Sequence, residues 1–163
     1  AEQALVQECQ SSELELVIIR PPLIYDREPK GNLKALLKAV RKGIPLPLAS
    51  ITNARDLIAL PNLCSLIECT LDRPGIGGEV LLAADGVPRS TPEIVALLAE
   101  IHGLRARLLP FPQSLLRALF KLAGKDASAD KLLGNLELDI SHTCALTGWQ
   151  PRSVQELYTG SQQ

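Results

Sequence analysis

The pattern of hydrophobic and polar positions first predicts a strand near the start of the chain. Leu14 to Ile19 has a β-branched centre, Val17-Ile18-Ile19, that is apolar at both odd and even positions. A strand of this kind is covered on both faces, as in the parallel sheets of α/β proteins. It ends abruptly at Pro21-Pro22. Glu79 to Ala84 predicts a second strand, and Arg105 to Leu109 predicts a third.

Amphipathic helices separate these strands. A helix from Asn32 to Lys42, ended by Gly43, is predicted by apolar residues at helical spacing: Leu33, Leu36, Leu37 and Val40. A second helix covers Leu60 to Leu71, with a proline tolerated in its first turn. A third begins at the capping box Ser90-Thr91-Pro92-Glu93 and runs to Gly103.

The last third of the chain predicts shorter helices. One contains Leu115 to Phe120, and Gly124 to Asp130 is expected to be a polar break. Asp139 is expected to cap a short helix that ends at Gly148, and Ser153 to Glu156 forms a capping box for the final turn. Strands that alternate with helices predict an α/β fold.

Composition limits the classes of partner. The 163 residues are 46% hydrophobic and 3% aromatic, enough for one sizeable core built mainly of aliphatic side chains. Charge is nearly balanced, with 17 Lys and Arg against 18 Asp and Glu, so the overall charge does not indicate nucleic acid. No apolar run reaches the roughly 18 residues of a membrane span. A small molecule or another protein is the expected partner.

The four cysteines indicate the compartment rather than a site. Cys9, Cys64, Cys69 and Cys144 lack the spacing of zinc ligands, so no metal is predicted. We expect them to be buried free thiols, which favours a cytoplasmic localisation.

The remaining motifs offer no catalytic group. No G-x-S-x-G elbow is present. His102 is expected to cap the end of a helix and His142 to lie on the surface. Gly75 to Gly78 precedes a predicted strand, whereas a dinucleotide-binding loop follows one, so we interpret these glycines as a turn.

Several ordered segments carry a resemblance to a known family. Val17 to Tyr25 is similar to a strand that ends Arg-Pro-Pro-Leu-Val-Tyr, and Lys30 to Leu33 to the lysine and asparagine that precede the next helix. Asn53 to Ile58 is similar to an arginine-containing segment, and Leu146 to Pro151 to a closing Leu-Gly-Trp-x-Pro pattern. Through these segments the chain resembles the extended short-chain dehydrogenase/reductase family, specifically its NAD-dependent nucleotide-sugar epimerases and dehydratases.

The resemblance implies a fold and a division of labour. It implies an α/β fold, the C-terminal part of a Rossmann-type extended short-chain dehydrogenase/reductase, with the small substrate-binding subdomain. Residues 1–163 would then form one C-terminal substrate-binding portion. The family's glycine-rich turn and Tyr-x-x-x-Lys pair have no counterpart here, so we expect the cofactor-binding N-terminal half to be absent. We therefore do not expect this chain alone to bind NAD or to be active.

The resemblance also assigns roles to individual residues. Pro21 and Pro22 would lie beside the nicotinamide of NAD in the parent enzyme. Asn32, with Leu33 next to it, would bind the nucleotide-sugar diphosphate, and Arg55 would clamp that diphosphate with both arms of its guanidinium. Lys131 would contact the nucleotide.

A simpler role stays open for each of these residues. Asn32 would merely cap its helix, and Arg55 would pair with Asp56 or point into solvent. Lys131 would be a solvated charge, and Pro21-Pro22 would only end the strand.

The predicted function is the substrate-binding part of an NAD-dependent nucleotide-sugar 4-epimerase, with a UDP-sugar as substrate and surface-polysaccharide synthesis as the setting. Two alternatives remain open. One is a dehydratase or reductase of the same family, and the other is a non-catalytic module that binds a nucleotide sugar or a protein. The resemblance also leaves open whether the parent is a homodimer.

Overall fold

The computed structural model describes residues 2–10, 12, 14–122, 124 and 126–159. The chain divides into two compact units. The first unit comprises Ala1–Ile24, Leu57–Gly86 and Leu138–Ser161, and the second comprises Tyr25–Asp56, Val87–Glu137 and Gln162–Gln163. The resemblance implies that residues 1–163 form a single C-terminal portion, and this stays a prediction.

The first unit contains a parallel strand pair, as the apolar runs predicted. Strand β1 (Ile18–Arg20) pairs in parallel with strand β4 (Val80–Leu82), with Ile18 opposite Val80 and Arg20 opposite Leu82. Strand β2 (Leu23–Tyr25), whose first two residues belong to this unit, pairs with β3 (Leu57–Ala59) in a second two-stranded sheet. The elements of this unit are α1 (Glu2–Gln10), β1 (Ile18–Arg20), β2 (Leu23–Tyr25), β3 (Leu57–Ala59), α3 (Leu60–Leu71), β4 (Val80–Leu82), α7 (Ser141–Thr147) and a closing π-helical turn (Gln155–Thr159).

The core of the first unit surrounds a buried polar contact. Ile58, Leu66 and Trp149 pack together as part of the apolar cluster. Among them lies Asn62, which is fully buried and donates from Nδ2 to Asp85 Oδ1 at 2.8 Å and to the Arg152 carbonyl at 2.9 Å. Its Oδ1 accepts from the Arg152 backbone N–H at 3.0 Å. One amide thus joins the start of α3 to the segment that follows α7.

The second unit is mainly helical, with α2 (Gly31–Arg41), α4 (Thr91–Ile101), α5 (Gln113–Leu122) and α6 (Asp126–Leu133). Helix α4 begins at the predicted capping box, in which the Ser90 backbone N–H donates to Glu93 Oε2 at 2.7 Å. The pKa of Glu93 is lowered because the Ser90 hydroxyl, at 2.6 Å, and then this backbone N–H donate to its carboxylate. The core of this unit consists of aliphatic residues from all four helices and the connector after α2: Val40, Leu48, Ile51, Val95, Ala99, Leu116, Ala129 and Leu133.

Helix α6 corrects the expectation of a polar break at residues 124–130. Residues 126–133 are helical because Ala129 and Leu133, one turn apart, both enter the core. The predicted strand from Arg105 to Leu109 is also wrong, since only a single bridge, between Leu46 and Leu108, forms there. Tertiary packing in both places overrides the local pattern.

Histidines and cysteines have mostly the predicted positions. His102 is the C-cap of α4, and its ring nitrogens lie 2.7 Å from the Leu98 carbonyl and 2.7 Å from the Arg27 carbonyl. His142 is exposed and lies 3.0 Å from Glu79. The four cysteines are free, but the prediction that they are buried is wrong, most clearly for Cys64, which is exposed.

In the described part of the chain, no helix has both the length and the apolar character to span a bilayer.

We expect Asn62→Ala to lower the free energy of unfolding by about 2–4 kcal/mol, because it removes buried hydrogen bonds and leaves the Arg152 backbone groups without them. Urea unfolding followed by the fluorescence of Trp149, the single tryptophan, measures this in the same unit. Cys64→Ala, on the exposed side of the same helix, is the control and should change stability by less than about 0.5 kcal/mol. Equal losses in the two variants would contradict this role of Asn62.

Candidate functional site

A cavity of about 380 Å³ lies within the second unit. Its walls are largely apolar and come from α2, α4, α5, α6 and the connector that contains Leu46 and Leu48. The apolar lining residues are Ala35, Leu36, Ala39, Leu46, Pro47, Leu48, Ile94, Leu116, Phe120 and Leu132. A pocket of this size and lining has the dimensions typical of a small-molecule site.

The polar lining contains three of the residues that the resemblance singled out. Asn32, Arg55 and Lys131 all border this cavity, together with Thr91. Asn32 is the second residue of α2, whereas the N-cap is Lys30, so the alternative that Asn32 caps its helix is wrong. These four groups come from four segments that are distant in sequence and meet at one cavity.

The other predicted site residues lie elsewhere. Leu33 is buried in the core with 1% exposure and is not part of the cavity lining. Pro21 and Pro22 belong to the first unit, where they connect β1 to β2, Pro21 exposed and Pro22 half-buried.

The segment around Arg55 is held on both edges by backbone pairing. Arg55 forms an antiparallel bridge with Arg89, with N···O distances of 2.9 and 2.8 Å. On its other edge, the Leu136 N–H donates to the Ala54 carbonyl at 2.9 Å. The backbone of Arg55 is therefore fixed on two sides while its side chain reaches the cavity.

The guanidinium of Arg55 is partly removed from water. Its Nη1 donates to the Gly134 carbonyl at 2.7 Å. Burial lowers the pKa of Arg55, because desolvation disfavours the charged form. An arginine still remains protonated at neutral pH, so the cavity contains a half-buried cation whose positive charge an incoming anion would stabilise.

A network that the sequence did not indicate positions the acceptor of Arg55. Asn53 donates from Nδ2 to the carbonyls of Leu132 at 3.3 Å and Gly134 at 3.0 Å. Its Oδ1 accepts from the Thr91 N–H at 2.8 Å, at the start of α4. Asn53 therefore ties the end of α6 to the N-terminus of α4. The one indication of this role in the sequence is that Asn53 lies two residues before Arg55, in the arginine-containing segment that resembles the family.

Gly134 fits this network for a steric reason. A Cβ at this position would lie 2.6 Å from the Asp130 carbonyl oxygen, closer than real Cβ contacts allow. A larger residue would push the chain away from α6 and displace the carbonyl that accepts from Arg55. The glycine is thus required by close packing of the backbone.

The charged groups of the cavity are cations. Among the described residues that line it there is no histidine, cysteine, tyrosine or carboxylate, and the charged groups are Arg55 and Lys131. The site therefore has two cations for an anion and apolar walls for a ring. No cluster of potential metal ligands occurs in the described ranges.

No turn of the kind that binds a dinucleotide occurs among the described residues. Dinucleotide binding requires a glycine-rich turn that leads from a strand into a helix. Here β3 continues directly into α3 through Ala59 and Leu60, and Gly75 to Gly78 precedes β4, as the sequence indicated. No step of the chemistry is therefore assigned to a cofactor on this chain.

No family model matches the chain. The chain is 41% identical over 158 residues to a UDP-glucose 4-epimerase from Vibrio cholerae, a match that covers 96% of this chain but 48% of that protein. The chain thus spans about half the length of the curated relative it matches.

Two solved structures share the fold. The UDP-glucuronic acid 4-epimerase of Bacillus cereus, in complex with UDP-glucuronic acid and NAD, matches with a TM-score of 0.66 and 17% identity over 95% of this chain and 46% of its own. The UDP-glucose 4-epimerase of Thermus thermophilus, in complex with NAD, matches with a TM-score of 0.65 and 19% identity over 93% of this chain and 46% of its own.

At such identities the two structures establish the fold, which is the Rossmann-type α/β fold of the extended short-chain dehydrogenases/reductases. Together with the Vibrio cholerae relative, they confirm the resemblance found in the sequence. The chain therefore has the fold of the extended short-chain dehydrogenases/reductases, and it is similar to about half of one of their nucleotide-sugar epimerases.

We expect Asn53→Ala to loosen the segment from Leu132 to Leu136, because the change removes both bonds to its carbonyls and the acceptor of the Thr91 N–H. Hydrogen–deuterium exchange followed by mass spectrometry should show faster exchange in peptides that cover this segment and the start of α4. Thr52→Ala, at the exposed neighbouring position, is the matched control and should leave the exchange unchanged. Unaltered protection in the Asn53 variant would rule out its bracing role.

Proposed function

We propose that this chain is the substrate-binding portion of an NAD-dependent nucleotide-sugar 4-epimerase, and that its cavity binds the nucleotide diphosphate of a UDP-sugar. The observation that carries the proposal is the convergence of Arg55, Asn32 and Lys131 on one otherwise apolar cavity. The similarity to a UDP-glucose 4-epimerase supports uridine as the base.

Arg55 has the central role in this proposal. Its bond to the Gly134 carbonyl occupies one N–H of the guanidinium and orients the remaining donors. A diphosphate presents several oxygens that a guanidinium contacts in pairs, which an ammonium does not reproduce. Because Arg55 is partly desolvated, each such bond is stronger than the same bond at the surface.

Asn32 and Lys131 complete the binding of the anion. Asn32 contributes an amide next to the N-terminus of α2, where backbone N–H groups and the helix dipole favour negative charge. Lys131 supplies a second cation from α6. The uracil and ribose of the ligand would lie against the apolar walls, with Phe120 as the aromatic surface for stacking.

The chemical step belongs to the parent protein in this proposal. NAD would bind to that protein and exchange a hydride with C4 of the sugar, with Pro21 and Pro22 beside the nicotinamide. The residues of this chain would bind and orient the substrate. We also propose that the parent protein acts in the synthesis of surface polysaccharide and that it is located in the cytoplasm.

We expect Arg55→Ala to weaken the binding of UDP by about 10- to 100-fold, since hydrogen bonds to charged groups contribute about 1.5–3 kcal/mol. Arg55→Lys should recover only part of the affinity, because lysine keeps the charge and loses the paired geometry. Isothermal titration calorimetry with UDP and this chain measures both. Arg41→Ala, which removes an exposed arginine from the end of α2 outside the cavity lining, is the control and should bind UDP with unchanged affinity.

Two results would contradict the proposal. One is UDP binding that Arg55→Ala leaves intact. The other is no measurable heat with UDP or a UDP-sugar, either for this chain or for a longer protein that contains it. A binding module without catalysis would give the same affinities, and it would be distinguished by the absence of epimerase activity in that longer protein.

A comparison of ligands tests the diphosphate directly. We expect UDP to bind more tightly than UMP by about tenfold, because the second phosphate provides further oxygens for Arg55. The preference should largely disappear in the Arg55→Ala variant, because the residue that recognises the second phosphate is gone. Isothermal titration calorimetry of UDP and UMP with the original chain and with the Arg55→Ala variant measures how much of the preference for UDP depends on Arg55. A preference of the same size in the variant would assign the second phosphate to another residue.

A further inference from the structure

Helix α5 has a second apolar face that the core does not use. Leu116 and Phe120 point into the unit, where both line the cavity and Leu116 is buried in the core. Leu115, Leu119 and Leu122, at i, i+4 and i+7, share another face and are 54%, 53% and 86% exposed. We call these three leucines the outer face of α5.

The chain segment that contains this face carries charges of a single sign. The 25 residues from 101 to 125 contain five lysines and arginines and no aspartate or glutamate. Of these cations, Arg117 and Lys121 lie on α5 itself and are exposed, and Arg105 and Arg107 are exposed in the preceding segment. The flanking acids in the chain are Glu100 before this stretch and Asp126 after it.

The two units differ strongly in charge, although the whole chain is nearly neutral. The second unit has 14 Lys and Arg against 8 Asp and Glu, a formal charge of +6, and the first has 3 against 10, a charge of −7. The outer face of α5 therefore belongs to a cationic unit, and a partner for it must tolerate or carry negative charge.

We propose that α5 docks the second unit on an anionic membrane surface, with its outer face in the interface and its cations on lipid headgroups. A helix that has leucines on one face and lysine or arginine on its polar face lies in the plane of a bilayer. Anionic lipids attract juxtamembrane cations, and the apolar side chains then gain from burial at the edge of the acyl region. This proposal is independent of the ligand in the cavity.

Charge argues against a second copy as the occupant. A second copy on this face would bring together two second units, each with a formal charge of +6. Like net charges oppose association, whereas a negative surface does not.

Helix α2 shows why charge alone does not define the surface. It also carries exposed cations, including Lys34 and Lys38, but its large apolar residues are buried or half-buried. It therefore has no apolar face to insert. Only α5 among the described helices of this unit combines several exposed leucines with exposed cations.

Vesicle co-sedimentation of the full 163-residue chain tests the proposal. We expect binding to phosphatidylcholine vesicles that contain about one-third phosphatidylglycerol, and at least about tenfold weaker binding to pure phosphatidylcholine vesicles. Binding to the anionic vesicles should weaken as salt is raised, because the headgroup contacts are screened. No binding to either vesicle, or equal binding to both, would overturn the proposal.

Paired variants separate the apolar and the charged contributions. Serine in place of Leu115, Leu119 and Leu122 should reduce anionic-vesicle binding more than about tenfold, because buried CH₂ groups are lost. Its control is serine in place of three exposed leucines of the acidic unit, Leu5, Leu14 and Leu71, which should bind as the original chain does. Circular dichroism should show both variants folded.

Arg117→Glu with Lys121→Glu should weaken binding by about 25-fold, at roughly fivefold for each cation that the reversal removes from the surface. Lys34→Glu with Lys38→Glu makes the same change in charge on α2 and should have a clearly smaller effect. An equal effect of the two pairs would overturn the assignment to α5.

Sedimentation equilibrium of the chain without vesicles tests the competing occupant. We expect no self-association that depends on Leu115, Leu119 and Leu122. A dimer that the triple serine variant abolishes would assign this face to a second copy and overturn the proposal.

Discussion

The second unit depends on the segment from Asn53 to Arg55 being bonded on both edges. Its backbone pairs with Arg89 on one side and Leu136 on the other, and the Asn53 side chain adds bonds to the end of α6 and the start of α4. This double pairing allows the protein to hold an arginine half-buried next to apolar walls. A guanidinium on a mobile loop would instead turn toward water, and the cavity would lose its charge.

Local signals predicted the helices well and the strands less well. Capping boxes and apolar spacing depend on residues within one or two turns, so α2, α3 and α4 begin and end within a few residues of their predicted bounds. Strand pairing depends on distant partners. The run from Arg105 to Leu109 was therefore misjudged, and β1 is confined to the residues that face β4. Helix α6 was missed because Ala129 and Leu133, its buried residues in the described part of the chain, are too few to form an apolar period in the sequence.

The candidate site divides in a similar way. Arg55, Asn32 and Lys131 came from a family resemblance, and the structure brings all three to one cavity, although their roles there remain predictions. Asn53, Thr91 and Gly134 were not foreseen, because their contacts join a side chain to a backbone group 38 to 81 residues away. Backbone groups are present at every residue, so such contacts leave no pattern of residue types in the sequence.

The spacing of apolar residues along α5 does not by itself determine which of its apolar faces joins the core. A helix needs one apolar face to join a core, and Leu116 and Phe120 supply it here. The leucines at 115, 119 and 122 add a second face, which nothing in the fold of this unit requires. A lone exposed leucine is ordinary, but three on one face form an amphipathic surface when Arg117 and Lys121 lie on the polar side of the same helix and the stretch contains no acid. The helix that closes one side of the cavity thus also has the composition of a helix at a membrane interface.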